Sequence, residues 1–261
     1  MQRSDPGQEF NSAYYLAVNN ARDEVFHRLI PLLIEEKRLV SAIDVGCGIG
    51  HYSSYLTSLG LHVTGLDGRS ENISSAQTSN PETRFISASI EDLADVEIGS
   101  YDLVFCAGLL YHLENPFKAI RNMRALCKSV CVVESRVHWS DFPLALFVRD
   151  GDGPTQALAH YAMILTRRCL INMLYASGFD HVYSFAVSSS HPELSGSGLK
   201  RPRRHFFVAS LEPLSLSDLK HEVRHVDDDM EAMAPYTNSR QRFLKSVKES
   251  ICWLVQGAGA K

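Results

Sequence analysis

Two acidic residues flank a glycine-rich turn in the first quarter of the chain. Asp44 precedes the turn, which reads Gly-Cys-Gly-Ile-Gly over residues 46–50, and Asp67 follows the next apolar segment. Glycines in such a turn permit positive φ angles and let a ligand approach the main chain. A carboxylate just before the turn would repel a pyrophosphate but attract an ammonium or a sulfonium group. The pattern therefore favours a cationic ligand without phosphate.

Two other ligand classes also use a strand, a glycine turn and a helix, and the residues after Gly50 separate them. A P-loop requires Lys and then Ser or Thr there, but His51 and Tyr52 follow. A dinucleotide fingerprint that starts at Gly46 requires glycine at the position of His51. Asp67 is placed to accept hydrogen bonds from both hydroxyls of a ribose. Ribose recognition combined with a cationic group indicates an adenosyl amino acid.

Residues with acid–base chemistry follow the fourth predicted strand. Tyr111 and His112 come at its carboxyl end, where parallel sheets bind their ligands. An imidazole titrates near neutral pH, so His112 could deprotonate or orient an acceptor. The alternative is a histidine that hydrogen-bonds loop backbone. Tyr111 is interpreted as a wall of the pocket.

Further polar residues lie near the same predicted edge. Glu134 and Arg136 follow the fifth strand and could contact the acceptor or pair with each other. Glu134 joins Tyr111 and His112 as a candidate catalytic residue. Tyr14 and Tyr15 could form a lid or pack in the core. The basic run at residues 200–204 could meet an anionic acceptor, although solvated charge is the simpler interpretation.

Alternating apolar and amphipathic segments must position these residues. Strands apolar on both faces indicate a parallel sheet covered by helices on two sides. Residues 137–165 show no clear strand, and residues 215–257 are charged and predicted to be helical. The predicted strands cover residues 39–45, 61–66, 83–87, 101–107, 129–134, 182–187 and 205–209, and the main helices cover 12–36, 51–59, 70–78, 117–127 and 166–176.

Several segments resemble the motifs of class I S-adenosylmethionine-dependent methyltransferases. The segments that carry the resemblance are residues 42–50, Asp67, residues 88–92 and residues 101–112. The resemblance covers roughly residues 40–210 and implies S-adenosyl-L-methionine as cofactor. It also implies an α/β fold, a Rossmann-like three-layer sandwich with a seven-stranded, mostly parallel sheet. The last strand, expected at residues 205–209, would be antiparallel.

The same resemblance implies which residues meet the cofactor. The expected set is Asp44, Gly46, Cys47, Gly48, Asp67, Gly68, Ser89, Ile90, Glu91, Ala107 and Gly108. Asp44 would lie near the amino group and Asp67 would hold the ribose. Ser89 and Ile90 would flank the adenine, and the last two residues of the set would pass close to the methionine part. Glu91 would either bind the exocyclic amine of adenine or begin a solvated helix.

Length and composition suit one globular domain with appended segments, since the chain has 261 residues of which 45% are hydrophobic. We predict that residues 1–38 form N-terminal helices that act as a lid. Residues 39–210 would form the methyltransferase domain. Residues 137–165 and 188–204 would be acceptor-site insertions. Residues 211–261 would form a C-terminal helical extension.

Charge and cysteine usage narrow the function classes. The formal net charge is −4, which does not favour nucleic acid as the main partner. The six cysteines form no C-x-x-C pair, so no metal site is expected. The first residues contain no apolar signal core, and no apolar run approaches the ~18 residues of a membrane span. We therefore expect a cytoplasmic protein.

The leading functional hypothesis is a transferase that moves a methyl group to an oxygen or nitrogen atom of a small-molecule or glycan-type acceptor. One alternative is a tRNA wobble-uridine-modifying transferase, because residues 108–112 and 115–116 are similar to a stretch in such enzymes. Those enzymes bind RNA through extended basic surfaces, which this sequence does not show. The other alternative is a non-catalytic relative that binds the cofactor or a partner protein, for which the acidic residues 227–229 are a candidate surface.

Overall fold

A computed structural model describes residues 9–10, 12–151, 153–185, 187, 189, 191–195 and 203–224. The chain divides into two units, residues 1–223 and residues 224–261. The first unit carries the sheet and the cavity described below. The greater part of the expected C-terminal helical extension, residues 225–261, lies outside the described residues, as do residues 1–8 of the expected lid and most of the 188–204 insertion.

One large sheet of eight strands forms the centre of the described structure. A separate pair of strands forms a hairpin. The strands are β1 (Ser41–Val45), β2 (His62–Asp67), β3 (Arg84–Ser87), β4 (Tyr101–Ala107), β5 (Cys127–Arg136), β6 (Ala145–Arg149), β7 (Tyr161–Leu165), β8 (His181–Phe185), β9 (Arg204–Ser210) and β10 (Leu219–His221).

The order of the large sheet is β10-β8-β9-β5-β4-β1-β2-β3. The five strands from β3 to β5 are parallel, whereas β9 lies antiparallel between β5 and β8. The antiparallel strand expected at residues 205–209 is therefore confirmed as β9. The Rossmann-like, mostly parallel sheet is confirmed too, with β10 as an added edge strand that raises the count from seven to eight.

Helices cover both faces of this sheet, which completes the three layers. One face packs against α4 (Pro116–Leu126) and α5 (Arg167–Ala176) through apolar residues such as Ile120 and Leu170. The other face packs against α1 (Ala13–Lys37) and α2 (His51–Ser58) through residues such as Phe26 and Leu56. All four side chains are fully buried. The helices are α1 (Ala13–Lys37), α2 (His51–Ser58), α3 (Ser70–Ser79), α4 (Pro116–Leu126), α5 (Arg167–Ala176) and the short α6 (Pro192–Ser195), with a 3-10 helix at Leu110–His112.

Two segments differ from the sequence-based expectation. Residues 137–165 contain the antiparallel hairpin β6–β7, which the sequence pattern did not reveal. β6 is largely exposed, and its Phe147 stacks on Tyr161 of β7 outside the main core. Both strands are short apolar runs, which by themselves do not distinguish a strand from a helix. The helix expected to begin near residue 215 is wrong over the described residues up to 224, where β10 pairs with the edge strand β8. Backbone pairing at a sheet edge tolerates the polar side chains of β10.

No helix within the described ranges has the length and apolar character needed to cross a membrane.

Candidate active site

A cavity of about 700 Å³ opens at the carboxyl ends of the parallel strands. This is the edge at which open α/β sheets bind ligands. Of the fourteen residues expected to bind the cofactor or to be catalytic, ten line the cavity: Gly46, Gly48, Asp67, Gly68, Ser89, Ile90, Ala107, Gly108, Tyr111 and His112. Four others, namely Asp44, Cys47, Glu91 and Glu134, lie outside its lining.

The glycine turn after β1 is held by backbone hydrogen bonds. The amides of Gly46 and Cys47 both donate to the carbonyl of Leu66 at the end of β2, at 2.7 and 3.0 Å. Gly48 has φ +54°, and a Cβ atom there would lie 3.0 Å from the ring of Phe10. Because an L side chain is disfavoured by both the backbone and the contact, the turn presents main chain to the cavity.

Asp67 joins the turn to the start of α3. Its carboxylate accepts hydrogen bonds from the amides of Gly48 and Arg69, at 3.0 and 2.8 Å, and from Asn72 Nδ2 at 3.2 Å. Burial raises the pKa of Asp67 above its ordinary value, while these hydrogen bonds oppose the change. A carboxylate offers about four acceptor positions, so one remains for a ligand hydroxyl.

Asp44 lies beneath the turn rather than in the cavity wall. Its side chain is 2% exposed and accepts a hydrogen bond from Ser53 Oγ at 2.7 Å. Burial raises the pKa of Asp44 to about 7, against the effect of the Ser53 hydrogen bond. The group can therefore act on a cavity ligand through its charge, and a nearby cation would favour its ionised form.

Two further residues from the expected cofactor set face elsewhere. Cys47 is buried within the turn. Glu91 lines a neighbouring shallow depression, where its Oε1 accepts a hydrogen bond from the amide of Asn115 at 2.5 Å. That contact occupies part of the carboxylate expected at the adenine amine, and the adenine role of Glu91 stays a prediction.

His112 meets an acidic residue that the sequence analysis did not select. Its Nδ1 lies 2.5 Å from Asp150 Oδ2, and Asp150 follows β6 of the hairpin. Burial alone would raise the pKa of Asp150, but hydrogen bonds from His112 and from the amide of Ala157 hold it below its ordinary value. The only sequence signal was the Asp-Gly turn at residues 150–151, which is more often a mere chain reversal.

A buried ion-pair network lies beside Tyr111. Glu134 is fully buried and pairs with Arg22 and Arg204, each at 3.0 Å. Arg204 also donates to Glu193 Oε2 at 2.7 Å and to the Tyr111 hydroxyl at 3.2 Å, with its guanidinium over the Tyr111 ring. Burial opposes the charge of both arginines, but Glu134 holds the pKa of each above its ordinary value. Glu134 therefore anchors two cations instead of contacting the cavity directly.

The network corrects two sequence-based interpretations. Arg204, the last residue of the basic run, is 5% exposed and lines the cavity, so it is not solvated charge. Arg136 does not pair with Glu134 but lies 3.8 Å from Glu193, which also accepts a hydrogen bond from the Tyr14 hydroxyl. Arg22, which the sequence analysis did not select, lies within a helix of otherwise ordinary composition.

Arg22 approaches the backbone of Gly108. A Cβ atom at Gly108, which has φ +80°, would lie 2.6 Å from Arg22 Nη2. Within the described residues, the buried Arg22 Nε has no hydrogen-bond partner. Arg22 and Gly108 both line the cavity, so this corner offers a buried cation to a ligand.

Comparison with known proteins finds methyltransferases among the similar sequences. Residues 43–132 match a family model described as a methyltransferase domain. The chain is 38% identical over 90 residues to the ubiquinone biosynthesis O-methyltransferase of Vibrio parahaemolyticus, an alignment that covers 33% of this chain and 38% of that protein. The chain thus spans well under two thirds of the length of that curated relative.

Solved structures share the fold at low sequence identity. The N-terminal domain of EvdMO1 with SAH bound is 19% identical with a TM-score of 0.55, covering 74% of this chain and 80% of that chain. Magnesium protoporphyrin IX methyltransferase from Synechocystis with bound SAM is 16% identical with a TM-score of 0.55, covering 80% of this chain and 98% of that chain.

Proposed function

We propose that this chain, which belongs to the class I S-adenosylmethionine-dependent methyltransferase family, transfers a methyl group from S-adenosyl-L-methionine to an oxygen or nitrogen atom of a small-molecule or glycan-type acceptor. The observation that carries the proposal is a cavity whose lining combines a glycine turn, a ribose-type carboxylate and His112. The family assignment identifies S-adenosyl-L-methionine as the cofactor.

The residues of the cavity fit the cofactor. Asp67 has an acceptor position for a ribose hydroxyl, and Ser89 and Ile90 line the wall where the adenine is expected. Arg22 supplies a buried positive charge for the carboxylate of the methionine part, next to the open backbone of Gly108. Asp44 supplies negative charge beneath the turn for the ammonium and sulfonium groups. Each charge of the cofactor thus has an opposite charge close to the cavity.

The chemistry divides between cofactor and protein. When bound, the cofactor supplies a methyl group on a sulfonium sulfur, which is electrophilic without further activation. The protein must hold the acceptor close to that methyl group and exclude water. His112 is the candidate base for the acceptor proton, and Tyr111 is a cavity wall fixed by Arg204. A positioned base contributes about 10²–10⁴-fold in rate.

Oxygen is the acceptor atom that the relatives support best. The matched relatives are named ubiquinone biosynthesis O-methyltransferases. A volume of about 700 Å³ lies within the range of roughly 300–1,000 Å³ found for small-ligand sites. The acceptor end of the cavity carries Tyr14, Tyr111 and Arg136, which can hydrogen-bond a polar small molecule.

Calorimetric titration of the full chain with S-adenosylmethionine, NAD and ATP tests the cofactor assignment. We expect binding of S-adenosylmethionine only. Asp67→Asn should weaken that binding at least about tenfold, since the neutral amide is a poorer acceptor for a ribose hydroxyl. Glu97→Gln, an exposed acidic position outside the cavity, is the control. A preference for NAD or ATP would overturn the proposal.

An acceptor screen then tests transfer, with S-adenosylhomocysteine as the measured product. The probes are dihydroxybenzoates, free sugars, amino sugars and total tRNA. Product formed with one of the first three probes is the expected result. Salt-sensitive product formation with tRNA alone would replace the small-molecule assignment. Binding without product from any probe would favour a non-catalytic relative.

A further inference from the structure

The contact between His112 and Asp150 joins two segments that are far apart in the chain. Nδ1 of the imidazole and Oδ2 of the carboxylate are 2.5 Å apart, and the two side chains are only 15% and 18% exposed. The same Oδ2 accepts a hydrogen bond from the amide of Ala157 at 2.9 Å, and Oδ1 accepts one from Gly151 at 3.0 Å. Asp150 is therefore fixed independently of the histidine.

We propose that Asp150 is a positioning residue of the methyl transfer, because it holds His112 as the tautomer with its proton on Nδ1 and thereby leaves Nε2 free to take a proton from the acceptor. This inference rests on the proposed function. In the reaction, the acceptor hydroxyl proton passes to Nε2 while the oxygen forms its bond to the methyl carbon, and the bond from that carbon to the sulfur breaks, so that the electron pair stays on the sulfur and S-adenosylhomocysteine is released. The imidazolium is then stabilised by the Asp150 carboxylate and returns the proton to water.

The segment 153–158 links this pair to the cofactor side of the cavity. Arg69 Nη2 donates to the carbonyls of Gln156 and Ala157, at 3.2 and 3.0 Å. Asn72 Nδ2 donates both to the Pro154 carbonyl, at 3.3 Å, and to Asp67. These anchors at the start of α3 therefore place Ala157, whose amide in turn places Asp150.

A purely structural role for Asp150 is the competing explanation, since its carboxylate also stabilises the hairpin connection. The two roles differ in what they do to the imidazole. A structural carboxylate could be replaced by asparagine, which keeps an acceptor oxygen for Ala157, without changing the tautomer or the pH dependence of turnover. A positioning carboxylate could not, because an amide neither selects the tautomer as strongly nor stabilises the imidazolium.

Other charged groups around His112 stay unchanged in such a variant. They are Glu9, Asp67, Arg22, Arg69, Arg136, Arg149 and Arg204 in the cavity, and Glu91, Asp92, Glu114 and Lys118 in the adjoining depression. The Tyr161 phenol and the Glu134 carboxylate belong to strands that pack against the 3-10 helix. A shift in the pH profile between wild type and Asp150→Asn therefore reports on the Asp150 carboxylate.

The test begins with the imidazole itself. The ring nitrogens of His112 are observed by long-range ¹H–¹⁵N correlation on the full-length ¹⁵N-histidine-labelled protein, with His112→Gln for assignment. We expect wild type to show the Nδ1–H tautomer and Asp150→Asn to show a mixture. Asp95→Asn, an exposed position away from the cavity, is the matched control and should leave the spectrum unchanged. An unaltered tautomer in Asp150→Asn would overturn the inference.

Kinetics with whichever probe wild type methylates supply the second readout. Asp150→Asn should lower kcat about 10²-fold or more, with the Kd for S-adenosylmethionine changed less than about threefold. The acidic limb of its kcat profile should move to lower pH. Equal kcat and an equal profile in both proteins would also overturn the inference. Failure of S-adenosylmethionine to bind wild type would overturn the proposed function, whereas the tautomer experiment needs no cofactor.

Discussion

The two sides of the cavity are formed by different kinds of chemical groups. The cofactor side uses backbone amides, glycines and two single carboxylates, which lie within residues 44–50 and 67–72. The other side, towards the acceptor and the methionine end of the proposed cofactor site, uses charged side chains, such as Glu134 with its two arginines, that come from widely separated strands and helices. A backbone site keeps its geometry when one side chain changes, whereas a buried charge network depends on every member.

The largest loss of stability is expected from a substitution that breaks the ion-pair network of Glu134, Arg22 and Arg204. Glu134→Gln should lower the free energy of unfolding by about 3–5 kcal/mol, because Arg22 and Arg204 would remain buried without their shared counter-charge. Urea or guanidinium denaturation measures the change. A loss below about 1 kcal/mol would show that the network is not the dominant support of the acceptor side.

The next effect belongs to Asp44 on the cofactor side and depends on pH. The folded pKa, about 7, lies above the ordinary value of 3.8, so the folded state binds the proton more tightly than the unfolded state. Its contribution to stability is present below about pH 4 and is lost as the pH rises towards 7, at roughly 1.4 kcal/mol per pH unit. Asp44→Asn should remove this slope, which a difference between the two curves of unfolding free energy against pH will show. Parallel curves would contradict the expectation.

A smaller effect is expected at Gly108, where the two sides meet. Gly108→Ala would place a side chain at φ +80° and a methyl group 2.6 Å from Arg22 Nη2. The left-handed backbone costs roughly 1–2 kcal/mol, and displacement of Arg22 should weaken S-adenosylmethionine binding about tenfold. Gly60→Ala is the matched control, since Gly60 has φ +87° but no atom within 4 Å of its added Cβ. Calorimetry should find weaker binding only in Gly108→Ala, and equal affinities would argue against a cofactor role for Arg22.

The smallest change in stability is expected at an exposed ion pair, which serves as a comparison for the buried network. Arg28 and Asp218 form a 2.9 Å ion pair whose side chains are 52% and 43% exposed. Asp218→Asn should change the unfolding free energy by less than about 1 kcal/mol, and less still at high salt. A change comparable with that of Glu134→Gln would remove the distinction between the two kinds of pair.

Much of the fold was predictable because its strands are locally encoded. The continuous apolar runs of β1 and β4 and the glycine turn are visible within a dozen residues, and they led to the parallel sheet. The antiparallel orientation of β9 was expected only from the family resemblance. The sequence did not reveal the hairpin β6–β7 because its strands are short apolar runs that fit a strand or a helix, and only their pairing fixes the conformation. The sequence did not predict β10 because this strand is three residues long and gains its conformation from pairing with β8.

The candidate site also combines features that are encoded locally with features that depend on packing. The glycines of the turn and Asp67 could be read from the order of residues, because the turn and the strand end that place them are short-range features. The burial of Asp44 and the hydrogen bond from Asn115 to Glu91 depend on packing, so their positions relative to the cavity were not available from the sequence.

The amino-acid sequence by itself determined the class of fold, the glycine turn and the acid at the end of β2, because each follows from local backbone preference and apolar periodicity. Only the tertiary structure decided that Asp150 reaches His112 and that Glu134 lies between Arg22 and Arg204. These contacts join residues 38, 112 and 70 positions apart. Such pairs form only where the folded sheet and its helices bring the charges together and withdraw them from water.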